Sequence, residues 1–337
     1  MNRNYELPQE LEDSIEEQLQ QFGHSLENPR KLAACVQDMS DYYIQHSDSK
    51  TPWKDNWAKV AQLCYYFPLN AMRSWSVVDE GHRLNFFKGL HSLIDFGSGL
   101  GAGSYWLSEI DHQIYIETSK EAQDLHRQII ADPAYRSWHS EVPRQIPPKA
   151  LGVFSYSLTE LKSAPPWLFD FEAVMIVEPS TRQDGRKLLE LREQLKSNGF
   201  YIWAPCTHQD QCPLLKNSQT DWCHDRIHFQ APDWFLKMEA QLPFKNQTLT
   251  MSYLLARKSP PPTTVGLART TGDRQDEKGK SRQMVCRGDE REFLSWLHKE
   301  GEPQNIPRGA LIEYPEIFEK KSNEIRVKSP IVVKTAH

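Results

Sequence analysis

The stretch Ser92–Tyr105, SLIDFGSGLGAGSY, decides the fold. Ser92-Leu93-Ile94-Asp95 has the short apolar pattern of a buried strand, and it runs straight into a turn with glycine at positions 97, 99, 101 and 103. Glycine lets the backbone turn sharply and approach a ligand with no Cβ in the way. A helical stretch is expected next, with free N–H groups at its start. A second strand follows, Gln113-Ile114-Tyr115-Ile116-Glu117. Strand, glycine-rich turn, helix and a strand ending in an acid make the βαβ unit of nucleotide-like cofactor sites. Glu117 stands 22 residues beyond Asp95, near the spacing at which a carboxylate meets a ribose diol. Such a turn can also serve tight packing alone; the acid so placed favours a cofactor.

The dinucleotide fingerprint is G-x-G-x-x-G, whereas this turn reads D-x-G-x-G-x-G from Asp95 to Gly101. It resembles the first motif of the S-adenosylmethionine-dependent methyltransferases. That resemblance implies Asp95, Gly97, Gly99, Gly101 and Glu117 as cofactor contacts. Downstream, Leu151–Leu158, Glu172–Pro179, Phe200–Trp203 and Met251–Ala256 read as strands, and a helix is expected from Asp184 to Asn198. Strand alternating with helix predicts an α/β, Rossmann-like doubly wound sheet.

Upstream, helices are expected near Leu11–Leu19, Lys31–Gln45, Trp53–Tyr66 and Ala71–Phe87, with a break at Phe67-Pro68-Leu69-Asn70. The expected organisation is an N-terminal helical region (1–88), a Rossmann domain (89–258), a charged connector (259–282) and a small C-terminal extension (283–337). The 337 residues carry 25% charged side chains and a net charge of −5, which argues neither for nor against nucleic acid. No apolar run is long enough to span a bilayer. The acidic start, MNRNYELPQELEDSIEEQLQQF, resembles neither a secretory signal nor a transit peptide. A reducing cytoplasm, no membrane partner and a monomer are expected, so the six cysteines point to metal or free thiols rather than disulfides.

Cys35 and Cys64 fall within helices and read as small buried hydrophobes. Cys206, Cys212 and Cys223 lie in APCTHQDQCPLLKNSQTDWCHDRIHF (204–229), directly after a strand, and Cys286 follows much later. Ligands in open α/β sheets sit beyond the carboxyl ends of strands, which puts these thiols on the same edge as the glycine-rich turn. Four thiols suit a tetrahedral zinc or an iron–sulfur cluster. His208, His224 and His228 keep a mixed zinc site open, and a Cys/His nucleophile or unlinked thiols remain alternatives.

The run Val174-Met175-Ile176-Val177-Glu178-Pro179-Ser180-Thr181, with Gly185, Ala204-Pro205-Cys206-Thr207-His208, Cys212-Pro213-Leu214, Asp221-Trp222-Cys223-His224 and Ser252-Tyr253-Leu254, resembles one family. It is that of the methyltransferase-like proteins of mitochondrial small-ribosomal-subunit assembly and their bacterial relatives. The similarity runs from about Tyr65 to Cys286. It implies a methyltransferase-type Rossmann fold and association with the small ribosomal subunit or its rRNA. It also implies a 4Fe–4S cluster on Cys206, Cys212, Cys223 and Cys286, with zinc as the alternative.

Amino-methylating enzymes often carry an Asn/Asp-Pro-Pro-Tyr element after the fourth strand. The strand taken as comparable here ends in Glu178-Pro179, leaving Ser157, Glu160 and Glu178 as candidate polar groups at the acceptor. Basic residues from Arg257 to Arg287, and Lys320, Lys321, Arg326 and Lys328 beyond, suggest a face for RNA. Two functions follow: an S-adenosylmethionine-dependent rRNA methyltransferase, or an assembly factor that keeps the fold and methylates nothing.

Overall fold

The computed structural model describes residues 3–46, 50–130, 135–161, 163–246, 248–263 and 266–334. The chain opens with a short strand, β1 (Asn4–Glu6), and then α1 (Gln9–Gln21), whose Leu11, Ile15 and Leu19 recur every four residues and are buried. Helix α2 (Pro29–Gln45) starts where Asn28 accepts the Lys31 N–H and Pro29 takes the first turn. Helix α3 (Asn56–Ala61) leads through a π-turn, Gln62–Tyr66, into α4 (Phe67–Arg83). The break expected at Phe67–Asn70 is therefore absent, and the rod runs through Pro68. A prolyl nitrogen has no N–H for the usual i−4 bond, and the wider π-turn just before it absorbs the misfit.

The central sheet follows. In chain order its elements are β2 (Ser92–Phe96), β3 (His112–Ile116), α5 (Lys120–Ile129), β4 (Arg136–His139), β5 (Ala150–Ser155), β6 (Ala173–Glu178) and α6 (Arg182–Ser197). Then come β7 (Tyr201–Ala204), α7 (Pro213–Asn217), β8 (Asp225–Gln230), α8 (Asp233–Glu239) and β9 (Thr248–Arg257). Spatial order is β4-β3-β2-β5-β6-β9-β7, all parallel except the reversed β9. That order is the doubly wound sheet of the S-adenosylmethionine-dependent methyltransferases. Strand β8 also pairs with β9, and β1 extends the sheet beside β8.

Strand β6 is buried along its whole length, as the centre of a parallel sheet requires. Its alternate residues serve two cores. Met175 and Val177 meet the N-terminal helices, while Val174 and Ile176 meet Leu188, Leu191 and Leu195 of α6. The N-terminal helices are thus one covering layer of the sheet.

Two expectations about local structure are corrected here. No helix follows the glycine-rich turn. Instead, Gly101 N–H donates to Ser98 O (2.6 Å), Ser104 to Gly101 (3.2 Å), Leu107 to Ser104 (3.0 Å) and Ile110 to Leu107 (3.2 Å). Gly97, Gly99 and Gly101 all have positive φ, so the turn itself is non-helical, and the bonds beyond it are spaced three residues apart rather than four. The acceptor comparison also shifts: β4 is the third strand, so the fourth is β5, ending at Ser155, and Glu178 closes the fifth.

The stretch 259–282, expected as a connector, holds β10 (Leu267–Thr270), β11 (Gln275–Glu277) and the start of β12 (Lys280–Cys286). With β13 (Glu292–Leu297), β14 (Leu311–Glu313), β15 (Phe318–Lys321) and β16 (Glu324–Val327) they form a second, seven-stranded sheet. It has its own core of Ala268, Val285, Leu294, Trp296, Ile312 and Ile325. The basic face expected there is largely neutralised. Arg269 pairs with Glu80, Arg274 with Asp276, Lys280 with Glu324, Arg282 with Glu277, Arg287 with Glu292, Lys320 with Glu290 and Lys328 with Glu300. Several of these carboxylates lie far away in sequence, so the local charge run was misleading. Among the described residues, no helix is long and apolar enough to cross a membrane.

Candidate functional site

Strand β2 delivers Asp95 to the bottom of a turn that closes on the neighbouring strand: Gly97 and Ser98 N–H both donate to Ile116 O, at 2.9 and 3.1 Å. Asp95 is buried, and Ser104 Oγ–H donates to its Oδ2 at 2.5 Å. Burial pushes its carboxyl up to about 7; the Ser104 bond opposes that rise and the charge of Glu117 adds to it. Two glycines are steric requirements. A Cβ on Gly97 would come 2.8 Å from Ser157 Cβ, and one on Gly101 would come 2.1 Å from His126 Nε2. His126 is buried and neutral, its pKa lowered to about 3 by burial, and its Nδ1 accepts the Trp138 indole N–H at 3.2 Å.

Glu117, just past β3, accepts the Gly99 N–H at 3.1 Å and the Ser119 N–H at 2.8 Å. Ser119 in turn caps α5. Turn and acid therefore meet, and both face one cleft of about 1790 Å³. Asp95, Gly97, Ser98, Gly99 and Glu117 line it. Gly101 lies behind, against His126. Ser98 Oγ is buried without a partner among the described residues.

Of the acceptor candidates, Glu160 lines the cleft, and burial followed by the Glu117 charge raises its carboxyl. Ser157 packs on Gly97, and buried Glu178 accepts the Leu158 N–H at 3.0 Å. Sequence reasoning missed Tyr156, which follows β5 at φ 58° and lines the cleft. It missed Tyr66, Asn70 and Arg73 too, whose i, i+4, i+7 spacing was available to find them.

The cysteines form a second centre. Strand β7 ends at Ala204, a cis bond joins it to Pro205, and Cys206 follows. Cys212 precedes α7, Cys223 lies just before β8, and Cys286 ends β12 of the other sheet. All four line one small cavity, of about 40 Å³, among Leu188, Leu189, Leu214 and Val285. Burial, and then their mutual proximity, raises the thiols of Cys212, Cys223 and Cys286.

Arg192 is buried beside them, its Nε–H donating to Cys206 Sγ at 3.3 Å and its Nη2 to His208 O at 3.2 Å. His208 Nε2 lies 3.3 Å from Cys286 Sγ. His224 instead meets Arg308, and His228 sits within β8. Among the described residues, no three His, Cys, Asp or Glu side chains converge closely enough to hold a single metal ion. The four thiols surround a shared space without closing on one point.

Comparison with known proteins gives weak structural likenesses. One is PH1948 from Pyrococcus horikoshii, provisionally an RNA methyltransferase: 16% identical, TM-score 0.36, covering 55% of this chain and 84% of that one. Another is a protein of Listeria monocytogenes, provisionally an S-adenosylmethionine-dependent methyltransferase: 11% identical, TM-score 0.28, covering 54% of this chain and 99% of that one. The plantazolicin methyltransferase BpumL, solved with SAH, is 12% identical with a TM-score of 0.28, covering 73% of this chain and 99% of that one. No curated protein matches. Residues 82–300, from the end of α4 past β13, match the family described as Mitochondrial small ribosomal subunit Rsm22, and the chain belongs to that family.

Proposed function

We propose that this chain binds S-adenosylmethionine at its glycine-rich turn and acts on the small ribosomal subunit or its rRNA, with a 4Fe–4S cluster on Cys206, Cys212, Cys223 and Cys286. The observation that carries the reading is the meeting of Asp95, Gly97, Gly99 and Glu117 on one cleft of a methyltransferase-type sheet. Membership of the Rsm22 family supports the ribosomal partner. When bound, S-adenosylmethionine supplies an already activated sulfonium methyl group. The chain's own work is then to hold and orient. Glu117 offers a carboxylate to the ribose hydroxyls, Ser98 an unpartnered hydroxyl, and buried Asp95 fixes the turn through Ser104.

Four thiols around one shared apolar cavity, the fourth brought in from the second sheet, support a four-cysteine site, and the iron–sulfur assignment follows from the family resemblance, with zinc as the alternative. The second reading, an assembly factor without methyl transfer, draws support from Ser155-Tyr156-Ser157 after β5, where no Asn/Asp-Pro-Pro-Tyr stands. The test begins with anaerobic purification and assay of iron, acid-labile sulfide and zinc. Iron and sulfide near cluster stoichiometry support the cluster, stoichiometric zinc replaces it with a structural clamp, and a metal-free folded protein removes the ligand assignment. Calorimetric titration with S-adenosylmethionine tests the cleft; absence of binding by the wild type defeats the enzyme reading. Co-sedimentation with small subunits tests the partner.

A further inference from the structure

The cleft is larger than one small ligand needs, since pockets for such molecules run to roughly 300–1,000 Å³ and this one measures about 1790 Å³. Asp95 and Glu117 mark the cofactor half. The other half is walled by the N-terminal helical layer and by the residue after β5, and its chemistry differs. Tyr156 is a bulky side chain held at φ 58°, a conformation uncommon for such a residue. Its surroundings fix it there: its N–H donates to Val177 O at 2.8 Å, and Leu158, two residues on, is bound by Glu178. A strained residue so tightly fixed on a cleft wall is a pointer to function.

Arg73 lies over that ring, its guanidinium carbon 5.7 Å from the centroid. Its Nε–H donates to Thr250 O at 3.2 Å and its Nη1 to Asn70 Oδ1 at 2.8 Å. Among the described residues Arg73 joins no ion pair, and its guanidinium stays at the cleft wall. Because Arg73 can only donate, the Asn70 oxygen must face it. Among the described residues the Asn70 NH₂ is left as a donor without a partner. Tyr66, Asn70 and Arg73 share one face of the α4 rod by their spacing, and all three line the cleft.

We propose that this half of the cleft binds the methyl acceptor, and that the acceptor is an unpaired nucleobase held against Tyr156 and Arg73 with its edge toward Asn70. The proposal rests on the S-adenosylmethionine reading and names the substrate class for it. An aromatic face, a planar cation and an amide donor complement a flat heterocycle that carries acceptor atoms and an attached phosphate. A lysine or arginine acceptor of a protein substrate would meet the like charge of Arg73 on this wall instead.

The experiment uses the full chain saturated with S-adenosylhomocysteine and a short fluorescein-labelled single-stranded RNA of mixed sequence, read by anisotropy. Tyr156→Ala is expected to weaken RNA binding between about 5- and 150-fold, the loss of one base stack, while Tyr156→Phe stays close to wild type. Asn70→Leu, on a separate element, is expected to weaken it severalfold. Calorimetry with S-adenosylhomocysteine reports folding of each variant. If Tyr156→Ala fails to fold, Asn70→Leu decides. Unchanged RNA affinity in folded variants, or equal affinity for duplex and single strand, overturns the acceptor site and leaves the cofactor reading intact. A wild type that binds neither S-adenosylhomocysteine nor RNA overturns both.

Discussion

Asp95 and Gly101 belong to the same motif but do different work, and each gives a measurable consequence. Asp95 is raised from the ordinary 3.8 to about 7 by burial. Between those values the native state holds more protons than the unfolded chain, so stability from this group falls as pH rises and levels off above about 7. Asp95→Asn removes that slope. Urea unfolding at pH 5 and pH 8 is expected to show the variant gaining about 3 kcal/mol on the wild type across the interval. A parallel pair of curves would mean that Asp95 is ionised throughout. At Gly101, alanine adds a clash with His126 to a φ of 82°, and a cost of about 3 kcal/mol is expected. Gly23→Ala is the control: φ is 74° there, but nothing lies within 4 Å, so only the backbone cost of about 1 kcal/mol applies. The motif was legible in sequence because its signal is local, an acid and glycines at fixed offsets. Which glycine faces the ligand and which faces His126 was not, because His126 arrives from α5.

At the scale of elements, strands declared themselves better than what joins them. The β6 run is apolar from Ala173 to Val177 and reads directly as a central strand. The helix after the glycine turn was expected from the usual βαβ pattern, and linked turns running on to Ile110 take its place. The Pro68 break was expected from proline chemistry, and a π-turn absorbs it. In both cases the local rule was sound and the backbone found another way to meet it. The cysteine loop shows the converse: three thiols group by sequence, and the fourth joins only because β12 of the second sheet runs to the same cavity. Cys286→Ser therefore tests a long-range pairing. In anaerobically purified protein it is expected to leave less than about half the wild-type iron per chain, whereas Cys35→Ser, on α2, is expected to leave iron unchanged. Equal iron in both variants would remove Cys286 from the site.

For the whole molecule, the question is what holds the second sheet against the first. Arg269 of β10 is buried and reaches three ways: Nη2 to Glu80 of α4 at 2.5 Å, Nε to Pro205 O at 2.6 Å, and Nη1 to Gly309 O at 2.8 Å. Pro205 is the residue before Cys206, so one side chain ties helical layer, cysteine loop and second sheet together. No sequence pattern reveals this, since Arg269 and Glu80 stand 189 positions apart. Their charges are costly to bury singly, and the pair is tolerated because each satisfies the other. Opposing arginines also hold the Glu80 carboxyl below its ordinary range despite burial. Truncating Arg269 would leave Glu80 buried with Arg83 alone at its other oxygen. Arg269→Ala is thus expected to cost about 3–5 kcal/mol. The loss should appear first as faster proteolysis between β9 and β12, before global unfolding. Arg274→Ala removes an exposed pair with Asp276 on the same sheet, and should cost less than about 1 kcal/mol with no change in cleavage. If both variants resist protease equally, the sheets are held by apolar contact, and the buried pair is incidental to their docking.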